Sequence, residues 1–409
     1  MDVKDIFNDK IEKYIYMERY VNDGSPSGLT KKQKTSFNTN PYTGDNKFEL
    51  LEFNDSDCES IDIGEKNIFF QKNVNYAHPD SKDSAVMEKS DRKMLNSGIL
   101  VSPTASSRTL LIRNKTEKGF LKLTYDISKI GGSIRYLAYK ACLASIETSQ
   151  TIKKFIDNKQ LPPTLAILLE TSAKVTKLKT GDNFFEWGTI YREFDPYPYV
   201  NEERQIIPAF SLFSKDKKKP KDEYIINQLI EISQKKPIDY LWNIIKMIMD
   251  AHWNLLIKCT LRPEMHCQNC MFELNKNYNI TRIIIKDMED VDKDLHLSKY
   301  FGYNYQCKSY PHKCFEEGVR EYKYRSSFMY DFKLGEYILT PLIKVVADKY
   351  NLSIIGIQNK IKKYVKDKYL HILPNDYFPS NGCWYFCKDI ESKPGLEREF
   401  FEDFNLKYR

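Results

Sequence analysis

Residues 98–125 read GILVSPTASSRTLLIRNKTEKGFLKLTY. Within this stretch GILVSP, RTLLIR and GFLKLTY are rich in β-branched and aromatic residues and are separated by polar clusters. The pattern predicts successive antiparallel strands, because such side chains fill a pleated, half-buried surface and the polar breaks supply turns. Upstream, Phe48 to Phe70 alternates weakly and adds strand character. Downstream, Ile134 to Thr148 turns helical, with apolar or small residues at Ile134, Leu137, Ala138, Ala141 and Cys142. LAILLE (165–170) and the segment through FFEWGTIYREF (184–194) return to strand.

The flanks complete the outline. Ile6, Ile11, Tyr14, Ile15 and Met17 recur at helical spacing, so a first helix is expected within residues 1–20. Asn22 to Asn46, rich in Gly, Ser, Thr, Asn and Lys, reads as a loop. SKDKKKPKDE (214–223) is a solvated, lysine-rich connector and a natural lobe boundary. Pro237 suits the first position of a helix whose apolar stripe runs through Leu241, Ile244, Ile245, Ile248 and Met249. MFEL (271–274) and ITRIII (280–285) flank NKNYN as a hairpin. ILTPLIKVVADKY and IIGIQNKIKKYVKDKYL give two further helical patterns within 330–370. The expected fold is α+β and multi-lobed, with a sheet-rich first half and a helix-rich second. Its divisions fall at residues 1–100, 101–213 and 214–409.

Composition narrows the class. The chain has 409 residues, 41% hydrophobic and 13% aromatic, enough to bury a large core, so global disorder is excluded. A net charge of +7 is spread along the chain, and KDKKKPK is its densest basic run. That suits anionic small substrates and does not predict a nucleic-acid partner. No stretch approaches the roughly 18–20 apolar residues of a membrane span. The N-terminus shows no export signal. Nine cysteines, an odd number, fit reduced thiols better than a disulfide framework, so the chain reads as cytoplasmic.

Four clusters have the residue types for chemistry. HPDSK holds His78 and Lys82. ASSRT holds Ser106, Ser107, Arg108 and Thr109, followed by Lys122 on a strand and Arg135 after a Gly-Gly. Hydroxyls beside a guanidinium fork, with another cation on the next strand, match polyphosphate oxygens. RPEMHCQN holds Glu264, His266, Gln268 and Asn269. IIIKDMED holds Lys286, Asp287, Glu289 and Asp290. A Glu and an Asn after a long helix, then an Asp closing a hairpin, are the oxygen donors that Mg²⁺ prefers. Neither GxxxxGK[ST] nor GxGxxG occurs.

In order, HP-x-x-K, S-x-R-T, Lys on a strand, Arg after a short turn, E-x-H-x-Q-N and Asp closing a strand resemble the NRPS-independent siderophore synthetases, the aerobactin synthetase-like family. GTIYREF (188–194) and IIPAFSLF (206–213) resemble further segments of that family. The resemblance covers roughly residues 70–300 well. It implies lobes akin to thumb, fingers and palm, the first one reduced, and an ATP-dependent ligase. A polar carboxylic acid, citrate-like or other, attacks the α-phosphate, and an amine or hydroxyl then resolves the acyl-adenylate. By the same resemblance His78, Lys82, Ser106, Arg108, Thr109, Lys122, Gln268 and Asn269 bind ATP. The resemblance further implies that Arg135, His266 and Lys122 are catalytic, that Glu264, Asn269 and Asp287 hold Mg²⁺, and that the protein forms a homodimer. Gly131 stands where the family often has Thr, and Lys286 where Arg is common.

Other readings are open at this point: a ligase of the same fold making a non-siderophore metabolite, or an inactive scaffold that keeps the ATP pocket. Cys267 and Cys270 form a lone C-x-x-C. With Cys307, His312 and Cys314 they could make a zinc site, but no second C-x-x-C exists and core thiols are the expectation. Trp187, Trp242, Trp253 and Trp384 are expected in the core or at lobe interfaces.

Overall fold

The computed structural model describes residues 1–23, 46–70, 73–106, 108–113, 118–130, 133–303, 314–315, 325–380, 382–386, 398–402 and 406–409. Most of the loop expected over Asn22 to Asn46 lies outside them, as do Ser107, Gly131, Cys307 and His312. An eight-stranded sheet dominates the first half. Its strands are β1 (Phe48–Asn54), β2 (Ser60–Gly64), β3 (Val74–Ala77), β4 (Leu95–Pro103), β5 (Thr109–Ile112), β6 (Gly119–Leu123), β10 (Glu170–Thr180) and β11 (Asn183–Glu193). Their order is β2-β10-β11-β6-β5-β4-β1-β3, with every neighbouring pair antiparallel. The three runs of residues 98–125 are β4, β5 and β6, side by side as expected. β4 crosses residue 100, so the sheet draws strands from both sides of that division.

The sheet curls until its ends touch. Asn75 on β3 donates to Thr176 Oγ1 (3.0 Å) and to the Trp187 carbonyl (3.1 Å), and Trp187 Nε1 donates to the Tyr76 carbonyl (2.9 Å). A two-stranded ribbon, β7 (Tyr125–Ile130) and β8 (Ser133–Arg135), leaves the sheet after β6. The helix expected from Ile134 therefore starts later. The Thr124 hydroxyl accepts the Leu137 N–H (3.1 Å) and Glu186 accepts the Tyr139 N–H (2.8 Å), so α3 opens only at Tyr139. In chain order the helices needed below are α1 (Lys10–Tyr20), α2 (Ala85–Lys89), α3 (Tyr139–Asp157), α4 (Ala209–Leu212), α5 (Ile225–Ser233) and α6 (Pro237–Cys259).

A second, four-stranded sheet has the order β12-β14-β15-β9, from β9 (Leu165–Ile167), β12 (Arg204–Pro208), β14 (Cys270–Asn275) and β15 (Ile280–Ile285), while the short β13 (Leu261–Arg262) pairs outside it with Asp292 and Lys293. β14 and β15 form the expected hairpin, and β9 pairs parallel to β15. The Leu168 N–H then donates to the Ile285 carbonyl (3.0 Å), and the chain enters β10 at Glu170. That short passage between the sheets brings the end of β15, with Lys286 and Asp287, to the start of β10.

The main core joins Met17 of α1 to Leu229 of α5 and to Leu241, Ile245 and Trp253 of α6. The lysine-rich loop is anchored on α1. Buried Asp216 accepts the Tyr16 hydroxyl (2.8 Å), and Lys218 sits 3.9 Å over the Tyr20 ring. Within 330–370, helices run over Thr340–Tyr350 and Ile354–Lys368 as expected, but Phe328–Leu339 is a π-helix. Among the described residues no helix is long and apolar enough to cross a membrane.

His252, on α6, packs against the rings of Trp253 and Tyr330. Burial, helped by the nearby Arg262 charge, lowers its pKa to about 3. Because the folded value lies below the ordinary value of about 6.5, the unfolded chain takes up the proton first and stability drops as the pH is lowered. Between pH 6.5 and 5 this group alone costs about 2 kcal/mol. His252→Gln is expected to flatten that part of the stability profile, measured by urea unfolding at a series of pH values.

Candidate active site

Residues directly opposite one another on an antiparallel sheet share a face, as do residues two apart on one strand. Thr109 pairs with Lys122, Phe120 with Arg192, and Arg192 with Glu170. Lys122, Arg192 and Glu170 therefore line one face of the large sheet. The turn after β15 closes over this face. Asp287 adopts a left-handed backbone conformation (φ 71°), which turns the chain sharply at the end of the strand.

Lys122 contacts the Asp287 carboxylate and lies 2.7 Å from Glu289 Oε2. Arg108 reaches the same Glu289 oxygen at 3.2 Å. Arg192 Nη2 is 3.6 Å from Asp287 Oδ1. Behind it Arg192 Nε donates to Glu170 Oε1 (2.8 Å), and the Ser145 hydroxyl of α3 donates to the other Glu170 oxygen. All of these groups are largely buried, so the pairing decides their charge. Burial opposes the charge on Lys122, but Asp287 and Glu289 outweigh it and hold its pKa above the ordinary value. Burial likewise pushes against the charges on Asp287 and Glu289, yet Lys122 and its cationic neighbours hold both carboxyls below the usual range. For Glu170 burial wins over Arg192 and the pKa rises.

The segment Glu264–Asn269 follows α6. Glu264 Oε1 accepts from Lys333 Nζ (2.8 Å), a residue of the π-helix, and its other oxygen faces His266 Nε2 at 3.6 Å. Burial opposes ionisation of Glu264, but Lys333 and His266 overcome it and its pKa lies well below normal. His266 Nδ1 accepts the Gln268 N–H (3.2 Å), which leaves Nε2 to carry the proton. Asn269 donates to the Glu264 carbonyl (3.3 Å), and its own carbonyl accepts the Lys286 N–H (3.0 Å). Gln268 Nε2 donates to the carbonyl of Ala105 (3.0 Å). One hydrogen bond thus joins the 264–269 segment to the loop bearing Ser106, Arg108 and Thr109.

The remaining expected residues sit around this pair of loops. Ser106 donates its N–H to Thr104 Oγ1 (3.2 Å), and the buried Thr109 accepts from that hydroxyl through its carbonyl (2.8 Å). Arg135, on β8, pairs in register with Tyr125. The Tyr125 ring packs edge-on against buried His78, with centroids 4.9 Å apart. Lys82 is exposed and lines a separate cavity of about 790 Å³ with Leu51, Ser84, Glu88 and Arg92, without any member of the Arg108–Asp287 cluster in its walls.

Asp287, Glu289 and Glu264 are oxygen donors of the kind a hard divalent ion takes, but Asp287 and Glu289 converge on Lys122 Nζ and Glu264 faces Lys333 and His266. Among the described residues no group of three or more His, Cys, Asp or Glu side chains is placed to share a metal ion. Cys267 and Cys270 are buried, and burial raises the pKa of the Cys270 thiol.

No family model and no curated protein sequence matches the chain. Solved structures do match. The petrobactin biosynthesis protein AsbB from Bacillus anthracis superposes with a TM-score of 0.66 at 15% identity, covering 88% of this chain and 68% of that one. The aerobactin synthetase IucC from Klebsiella pneumoniae gives 0.66 at 14%, covering 90% and 70%. The ATP-bound aerobactin synthetase IucA from the same organism gives 0.63 at 13%, covering 95% and 78%. The fold is that of the siderophore synthetases. Within this fold the 104–109 and 264–269 loops are joined through Gln268 and Ala105, and Arg108 and Lys122 meet Asp287 and Glu289 over one sheet face, while His78, Lys82 and Arg135 lie outside that cluster. Arg192, Glu170 and Lys333 support the cluster and the 264–269 loop and were not among the site residues expected from the sequence.

Proposed function

We propose that this chain is an ATP-dependent ligase that adenylates a polar carboxylic acid and condenses it with an amine or hydroxyl, as in siderophore biosynthesis. The observation that carries this reading is the convergence of Arg108 and Lys122 with Asp287 and Glu289, bridged to the 264–269 loop, in a fold shared with an ATP-bound aerobactin synthetase. Phosphate oxygens would replace Glu289 and Asp287 as partners of the two cations. A guanidinium fork and an ammonium in a water-poor site are strong phosphate partners.

Ser106, Thr109, Gln268 and Asn269 would hold the nucleotide from the same two loops; a role for His78 and Lys82 over it rests on their motif alone, since Lys82 lines a cavity apart from these loops. Asp287, with Glu264 and Asn269, would hold Mg²⁺, and Glu289 would assist. Bound there, the ion would supply positive charge to the phosphate tail. Arg135 and His266 would fix the acid's carboxylate against the α-phosphorus. A carboxylate oxygen forms the new O–P bond as the bond to pyrophosphate breaks, and the cations stabilise the charge that departs. The nucleophile then displaces AMP to leave an amide or ester.

The test is ATP–pyrophosphate exchange over a panel of carboxylic acids that includes citrate. Exchange that depends on one of these acids is expected. Absence of exchange with every acid, together with no ATP binding, would overturn the proposal. ATP binding without exchange would favour a scaffold.

A further inference from the structure

A carboxylate taken out of water is costly unless donors surround it. Glu18, near the end of α1, is 1% exposed and has such donors. Its Oε1 accepts the Tyr14 hydroxyl at 2.5 Å and lies 3.9 Å from Lys286 Nζ. Its Oε2 accepts the backbone N–H of Ala105 at 2.8 Å. The carbonyl of that same Ala105 accepts Gln268 Nε2. Ala105 is therefore clamped on both sides of its backbone, by a charge from α1 and by an amide from the 264–269 loop. Thr104 closes the turn from within through Ser106 and Thr109.

The helix that delivers Glu18 is itself fixed to the sheet face that bears Lys122. The Tyr14 ring packs edge-on against Phe120 and Phe194, at 5.7 and 5.8 Å between centroids. Phe120 stands two residues before Lys122 on β6 and points to the same side.

We infer that Glu18 is a positioning residue for the nucleotide: it holds the Ala105–Arg108 turn at the height where Arg108 meets phosphate. It also holds Lys286 away from Asp287. This rests on the reading that the 104–109 loop binds the phosphates of ATP. Glu18 touches no nucleotide in this scheme and acts through the Ala105 peptide and Lys286. A glutamine there would keep the shape but lose the countercharge to Lys286, leaving that ammonium to compete with Lys122 and Arg192 for Asp287.

Equilibrium binding of ATP with Mg²⁺, followed by calorimetry on the full chain, tests the inference. Glu18→Gln is expected to weaken ATP binding about tenfold, the size of one charged hydrogen bond, while KM for the carboxylic acid stays unchanged. Glu18→Asp, which keeps the charge but withdraws it from Ala105, should fall in between and serves if Glu18→Gln does not fold. Tyr14→Phe removes the other hydrogen bond to the same carboxylate and should lower the melting temperature without moving the ATP affinity. Wild-type-like ATP affinity in folded Glu18→Gln would overturn the inference, as would equal weakening by Tyr14→Phe. Failure of the wild-type chain to bind ATP would instead overturn the nucleotide reading of the loop.

Discussion

Lys122→Met is expected to lower ATP–pyrophosphate exchange by at least about 10²–10³-fold and to cost about 3–5 kcal/mol of folding stability. Both effects come from one atom. Lys122 Nζ sits between Asp287 and Glu289 with a side chain 2% exposed. Removing it leaves two carboxylates facing each other in a site with little water, and removes the ammonium that phosphate would meet. Arg108→Ala should reduce exchange as strongly but cost less stability, because Glu289 keeps Lys122. His266→Ala should also reduce exchange on the order of 10²–10³-fold.

The stability loss of Lys122→Met carries a pH signature. Asp287 and Glu289 are held below the ordinary carboxyl range, where Lys122 overcomes the effect of burial. A lowered carboxyl pKa stabilises the fold above the ordinary value of about 4 and is lost as pH falls through the folded value. The gap between wild type and Lys122→Met should thus be widest near neutrality and shrink in acid. Urea unfolding at neutral and acidic pH measures it. A variant with normal exchange and a pH-independent stability gap would remove Lys122 from the site.

Much of this site was legible because strand patterns and ordered short motifs are local properties. The three runs of residues 98–125 declare strands through their own side chains, and β4, β5 and β6 follow. The partners of the motif residues were not legible, because they depend on which strands become neighbours. GTIYREF holds Arg192 beside Glu193, but adjacent residues on a strand face opposite sides. Arg192 therefore pairs across the ladder with Glu170, while Glu193 accepts the Tyr199 hydroxyl (2.5 Å). Glu18 shows no signal at all, since a glutamate on a short amphipathic helix is ordinarily solvated. The π-helix over Phe328–Leu339, which brings Lys333 to Glu264, lies almost wholly before the helical pattern that starts at Ile338, and apolar periodicity does not reveal its hydrogen-bond register. Lys82 matches its motif, yet it lines a cavity apart from the Arg108–Asp287 cluster. A linear motif carries residue identity without the path of the loop around it.

The Arg192–Glu170 pair allows stability and chemistry to be pulled apart. Both residues are almost fully buried, and they share a two-point contact through Arg192 Nε and Nη2. Arg192→Met should cost about 3–5 kcal/mol, because it strands the Glu170 carboxylate away from water. It should also reduce ATP–pyrophosphate exchange, because Asp287 loses a cation 3.6 Å away. Adding Glu170→Leu removes the stranded charge, and replacing both members of a buried pair by apolar groups is commonly near neutral. The double variant should therefore recover most of the stability but not the exchange activity. Chemical denaturation and exchange assays on the two single variants and the double variant separate the terms. If the double variant regained activity along with stability, Arg192 would be scaffolding alone. If it regained neither, the pair would be bound more tightly into the Ser145 and Asp287 network than a simple two-body charge contact.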